Sequence, residues 1–270
     1  MTTKTKALPT KEAIRLTNLW QKYGPNTYPL DIAKLIDGAF RGSGFDGQLT
    51  TKRGHFDSFE GCLVKTKNSQ NWTILLNDKV ENKRRQRFTH AHELGHFMCH
   101  RGLRDRFEDS DATLNDFRDA IETEANLFAS WLLMPANIIR DEFSGARWDA
   151  GTLCRIGSRF ECSLQASALR MVSLSSKPVA FVVSRDGMIL WACKSASAPY
   201  MAAYCFGDEL PETSHALAAH RTGGVAAHRT GGGSLEADDA GDAWNNFSHA
   251  RESQYFDTSG RGYQYTCIEF

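Results

Sequence analysis

The spacing of apolar positions changes several times along the chain, and each change predicts an element. Between residues 10 and 40, Ile14, Leu16, Leu19 and Trp20 fall on one helical stripe. Gly24-Pro25 interrupts it, and Pro29-Leu-Asp-Ile-Ala-Lys-Leu-Ile opens a second helix with proline near its start. Residues 41–58, rich in Gly, Asp and Ser, predict loop. Gly61-Cys-Leu-Val and Trp72-Thr-Ile-Leu-Leu predict two short strands around a polar turn at residues 66–71. Asn77-Asp78 offers caps for a long helix running to about His100, with Gly102 as its stop. A charged stretch over residues 101–111 leads to a further helix over 116–133, ended by Met134-Pro135.

The second half reads differently. Residues 153–174 predict two short helices with a turn near Cys162-Ser163, and Leu153, Ile156, Phe160, Leu164, Ala168 and Leu169 have the spacing of a helix-turn-helix core. As a DNA reader this segment offers only Gln165 and Arg170 to base edges, so packing against the preceding domain is the expected role. Pro178-Val-Ala-Phe-Val-Val-Ser and Met188-Ile-Leu-Trp-Ala flank Asp186-Gly187, the signal of a tight hairpin. Ala218-Ala-His-Arg-Thr-Gly-Gly returns at Ala226, too few copies for a solenoid, and residues 215–243 predict a flexible insertion. Its histidines, His215, His220 and His228, with His249 nearby, reflect this duplication rather than a second metal site. Tyr263-Gln-Tyr-Thr-Cys-Ile-Glu-Phe predicts a final strand.

Composition narrows the classes. The chain has 270 residues, 41% of them hydrophobic, and equal numbers of basic and acidic residues, 32 each. A balanced charge gives no general reason to bind nucleic acid or an anionic membrane, although Lys83-Arg-Arg-Gln-Arg is a local basic run in search of a partner. The first residues have no apolar run to serve as a signal peptide, and no stretch reaches the ~18 apolar residues of a membrane span. Seven scattered cysteines without a CxxC pair argue against a disulfide framework and a cysteine zinc site. A reduced, cytoplasmic setting is expected.

The chemistry concentrates in Phe88-Thr-His-Ala-His-Glu-Leu-Gly-His-Phe-Met-Cys-His. Positions four apart share a helix face, so His92 and His96 can direct imidazole nitrogens at one ion. Glu93 then stands beside the ion as a proton acceptor without ligating it. HExxH arises by chance in about one chain in a hundred of this length, so context has to carry the assignment. A catalytic zinc needs a third protein ligand and one open position. His100 shares the face but sits a turn further on. On the next helix, Phe117, Ile121, Phe128 and Trp131 mark an apolar stripe, and Glu124 lies on it. A carboxylate there is costly unless bound or paired, which makes Glu124 the expected third ligand, with pairing to Arg118 or a helix end as the alternative. Glu122, beside Asn126 and Leu133, reads as solvent-facing.

Arg87-Phe-Thr-His-Ala-His-Glu-Leu-Gly-His, followed by Glu124-Ala-Asn-Leu-Phe-Ala-Ser-Trp-Leu-Leu-Met-Pro, resembles the ImmA/IrrE family of metallo-endopeptidases. The resemblance covers roughly residues 12–175 and departs at His90, where an apolar residue is usual. It implies an α+β fold: a zincin-like peptidase domain over 1–145 with a small mixed sheet and the HExxH helix. A helix-turn-helix-like segment over 146–175 and a C-terminal β-containing domain over 176–270 follow. It implies His92, His96 and Glu124 as zinc ligands and Glu93 as general acid/base, although nitrogen and carboxylate donors accept manganese as well. The implied substrate is one regulatory protein, a helix-turn-helix transcriptional repressor, in stress response or mobile-element control. Trp72–Leu76 is the strand expected to hold it by strand addition. The alternative is a non-catalytic, zinc-containing regulatory or toxin–antitoxin component that binds a partner without cutting it.

Overall fold

The computed structural model describes residues 8–40, 46–109, 120–221, 235–245, 249–257 and 261–270. The chain divides into two compact units, Met1–Glu142 with Ser158–Ser163, and Phe143–Gly157 with Leu164–Phe270. The architecture is α+β, as the resemblance implies.

The first unit runs α1 (Pro9–Tyr23), α2 (Ile32–Phe40), β1 (Leu49–Gly54), β2 (Gly61–Lys65), β3 (Trp72–Asn77), α3 (Lys83–His100), β4 (Arg106–Asp109), α4 (Ala120–Leu133) and α5 (Ala136–Phe143). Its sheet has the order β1-β3-β2-β4. β1 is parallel to β3, while β2 is antiparallel to both β3 and β4. β1 lies where the composition predicts loop. Leu-Thr-Thr-Lys-Arg-Gly carries one large apolar side chain and is mostly exposed, so its ladder with β3, not burial, holds it in place. This order also corrects the expected docking strand. β3 has a neighbour on each side, and no row of its backbone groups is left for a substrate.

The start of α3 differs from the sequence expectation too. β3 continues through Asn77, and the helix is capped by Asn82, whose side-chain oxygen accepts from Arg84 N and Arg85 N at 3.0 and 3.1 Å. Asn77 instead pins the preceding loop: its Nδ2 donates to Phe56 O and Phe59 O, both at 2.7 Å. The basic first turn finds its partner in Glu60, which accepts from Arg85 Nε at 2.6 Å. α3 packs against α4 on one side and β2 and β3 on the other, which buries Thr89 through Met98 without a break. Gly95 permits the close helix crossing. A Cβ there would stand 3.0 Å from Phe128 Cδ1 and 3.2 Å from Ala125 O.

The second unit holds most of α6 (Ala150–Phe160), α7 (Leu164–Leu174), β5 (Val179–Arg185), β6 (Met188–Lys194), α8 (His215–Arg221), β7 (Leu235–Asp239), β8 (Arg251–Phe256) and β9 (Tyr263–Glu269). Its sheet is antiparallel, in the order β6-β5-β9-β8-β7. Asp186 and Gly187 form the predicted two-residue hairpin, with φ of 53° and 79°. Both faces of this sheet are covered. Trp148, Leu153, Ala168 and Val172 pack with Val179, Phe181, Val183 and Cys267 in one core cluster. Trp244, Leu210 and Met201 pack with Ala180, Val182 and Ile268 in the other. Of the helix-turn-helix positions, Leu153, Leu164 and Ala168 pack with the C-terminal sheet, Phe160 meets Tyr28 of the first unit edge-on at 5.7 Å, and Leu169 is exposed. Gln165 donates to Tyr265 Oη at 3.0 Å, and Arg170 is buried. The expected flexible insertion contains α8, whose first turn is held by Glu252 through Ala216 N at 2.9 Å. The second copy of the repeat, with His228, and Phe117 and Arg118 before α4, lie outside the described residues.

Candidate metal centre

α3 and α4 build the site between them. His92, His96 and His100 succeed one another at four-residue intervals along α3, and all are fully buried. His92 Nε2 and His96 Nε2 stand 2.9 Å apart. Glu122 Oε2, from the first turn of α4, lies 3.1 Å from the former and 3.5 Å from the latter. Among the described residues these are the His/Cys/Asp/Glu side chains that converge as a candidate metal-holding group, with one donor atom each and all within 4.8 Å of one another.

The carboxylate in this group is not the one the sequence predicts. Glu124 does not join the His92–His96 pair; its Oε2 lies 3.0 Å from His100 Nε2. The cause is the phase of α4. Its buried face runs through Ala125, Phe128, Ala129 and Leu132, while Ile121 and Trp131 are only half-buried. Glu122 stands one turn before Ala125, next to Asn126, on the side turned to His92. Small alanines at 125 and 129 carry little apolar signal, which is why a stripe drawn through the large side chains was rotated away from them. Asn126 is a second residue missed. Its Oδ1 lies 2.9 Å from His92 Nδ1, and its position four after Glu122 was the available signal.

Electrostatics agree with a cation-binding pocket. Burial would raise the Glu122 carboxyl, but the His92 and His96 rings beside it outweigh burial and hold the group well below the usual carboxylate range. Two imidazole nitrogens and a carboxylate oxygen facing one point suit a divalent ion of zinc's kind. Phe107 of β4 stacks on His96, with centroids 4.6 Å apart and planes 18° apart, which fixes the ring.

Glu93 is also fully buried, on the strand side of α3. Gly61 makes the room: a Cβ there would stand 2.6 Å from Glu93 Oε1 and 2.4 Å from Thr89 Cγ2. His90 faces away from the group. Its Nε2 meets Thr51 Oγ1 at 3.0 Å, and burial pulls its pKa down to about 4.

The family model of the IrrE N-terminal-like domain, Peptidase_M78, matches residues 48–172. No curated protein matches the chain in sequence. Among solved structures, a Mycobacterium tuberculosis transcriptional regulator is similar in fold, with a TM-score of 0.53 at 16% identity, over 96% of this chain and 86% of that one. Among the described residues no helix is long and apolar enough to cross a membrane.

Proposed function

We propose, from the match of residues 48–172 to the IrrE N-terminal-like domain, that the chain is a zinc-dependent endopeptidase of the ImmA/IrrE kind acting on one regulatory protein. The observation that supports this best is the convergence of His92 Nε2, His96 Nε2 and Glu122 Oε2, with Glu93 buried beside them on the same helix. His92, His96 and Glu122 would hold the metal. When bound, zinc polarises a carbonyl and brings the pKa of water down to about 7. Glu93 takes the proton of the attacking water and returns it to the leaving amine, and Gly61 keeps the space that lets its carboxylate reach inward.

An extended substrate needs a free sheet edge, and β4 is the strand that supplies it. It ends the sheet among the described residues, and its Phe107 already lies on His96. Selectivity for a helix-turn-helix repressor rests on the family resemblance, and the fold shared with a transcriptional regulator is in keeping with a regulatory setting.

The test is cleavage of the protein encoded beside this one, a repressor by the proposal, by the purified full chain. Cutting should require zinc and stop with chelator. Glu93→Gln should abolish it while the metal content stays at one equivalent. Cleavage near the wild-type rate in Glu93→Gln overturns the reading, and so does a wild-type chain that binds zinc but leaves the repressor whole.

A further inference from the structure

His100 is fully buried at the end of α3, outside the group that would hold the metal, and the peptidase chemistry makes no use of it. A buried imidazole is tolerated when its two ring nitrogens are hydrogen-bonded. Here Nε2 lies 3.0 Å from Glu124 Oε2, and Nδ1 lies 3.1 Å from His96 Nδ1. The chemistry of these partners fixes the direction of both bonds. An ionised carboxylate only accepts, so His100 Nε2 carries the proton. In a neutral imidazole Nδ1 is then an acceptor, and the hydrogen between the two rings belongs to His96 Nδ1.

The consequence falls on the far side of His96. With its hydrogen on Nδ1, Nε2 is a bare lone pair aimed at the point shared with His92 Nε2 and Glu122 Oε2. His92 reaches the same state by a shorter route, because the amide oxygen of Asn126 at 2.9 Å accepts from its Nδ1. The two imidazoles are thus set in one tautomer by different outer partners, a single amide for His92 and a carboxylate acting through a second imidazole for His96.

We propose that His100 and Glu124 form a positioning relay that holds His96 in its Nδ1–H tautomer and thereby sets the metal affinity of the site. The relay rests on the metal-site reading above. Neither residue touches the metal or the substrate. Outer partners of this kind shift metal affinity by about 10- to 100-fold, and the relay gives a job to the buried His100 and to a glutamate that the sequence alone nominates as a ligand.

Two measurements on the full chain test it. In metal-free protein, ¹⁵N spectra of the histidine rings should show His96 protonated on Nδ1, and His100→Ala should lose that signature. Zinc affinity by chelator competition should then weaken about 10- to 100-fold in Glu124→Leu. Glu124→Gln, which keeps an accepting oxygen, should recover most of it. The Glu124 variants cover the case in which His100→Ala fails to fold, since Glu124 is partly exposed. Wild-type zinc affinity in Glu124→Leu, or a His96 protonated on Nε2 in the wild type, overturns the relay while the metal site stands. Zinc retained by both His92→Ala and Glu122→Ala, or no zinc in the wild type, overturns the metal site and the relay with it.

Discussion

Two helix pairs in this protein look alike by apolar spacing and are built for opposite ends. α6 and α7 bury Ala150, Leu153, Ala168 and Val172 in one cluster with the C-terminal sheet. Their candidate DNA-reading side chains are spent internally, Gln165 on Tyr265 and Arg170 in the interior. α3 and α4 bury Thr89, His90, His92, Glu93, His96 and His100 at positions where a scaffold helix would carry leucine or valine. Burying a polar group costs free energy unless partners satisfy it. The α3–α4 pair meets that cost with a connected set of imidazoles and carboxylates. A pair that only needed to pack would not carry it.

The largest effects should come from breaking the polar pair. His92→Ala, His96→Ala and Glu122→Ala should each empty the site and end cleavage, read as zinc per chain by elemental analysis together with repressor cutting. Glu124→Ala should keep its metal at saturating zinc, the result that separates the geometry from the sequence expectation. Glu93→Gln should lower turnover by about 10²- to 10⁴-fold or more with zinc content unchanged. Metal lost from Glu124→Ala and retained in Glu122→Ala would reverse the assignment.

That contrast shows how far the sequence can be read. HExxH places His92, Glu93 and His96 because a motif within one helix needs only the four-residue repeat. The third carboxylate depends on the phase of a different helix, whose buried face runs through the small Ala125 and Ala129, and Ala125 comes close to α3 because Gly95 lies opposite. Close packing through small residues leaves a weak apolar signal, so large neighbours mislead. β1 was hidden for a related reason, since Thr50, Thr51, Lys52 and Arg53 take their place from the backbone ladder with β3. The hairpin at Asp186-Gly187 was legible because two positive φ values leave few residue choices.

The packing pair should fail in stability and not in chemistry. Leu153→Ala removes a fully buried side chain from the C-terminal core and should cost about 2–5 kcal/mol by denaturant unfolding. Zinc stoichiometry should not change. A metal loss matching that of Glu122→Ala would mean that the two pairs are not separable.

Adding a methyl group tests the close approaches of the polar pair. Gly95→Ala puts a Cβ 3.0 Å from Phe128 Cδ1, and Gly61→Ala puts one 2.6 Å from Glu93 Oε1. Overpacking of this kind costs about 1–3 kcal/mol. The two should differ in what else they lose. Gly61→Ala should lower turnover with zinc retained, because the displaced group is the proposed proton acceptor, whereas Gly95→Ala should weaken zinc binding by shifting α4 and Glu122 with it. Equal loss of turnover and equal zinc affinity in both variants would remove the distinction.

The smallest effect belongs to a carboxylate that faces a cation in the open. Glu142 accepts from Arg159 Nε and Nη2 at 2.6 and 2.7 Å, a two-pronged pair on α5 and α6, and both side chains are 34% exposed. The hydrogen bonds from Arg159 hold the Glu142 carboxyl below its ordinary value. A depressed carboxyl stabilises the fold above its unfolded pKa, and that contribution is lost as pH falls through the folded value. Solvent screens the pair, so Glu142→Gln should cost less than about 1 kcal/mol at neutral pH. The difference from wild type should shrink in high salt, and it should fade as pH falls below the ordinary glutamate range and through the lower folded value. Glu122, with the same side chain at 12% exposure between two buried imidazoles, should instead lose the metal outright when changed to Gln. A loss above about 2 kcal/mol at Glu142 would show that exposure does not separate the two carboxylates.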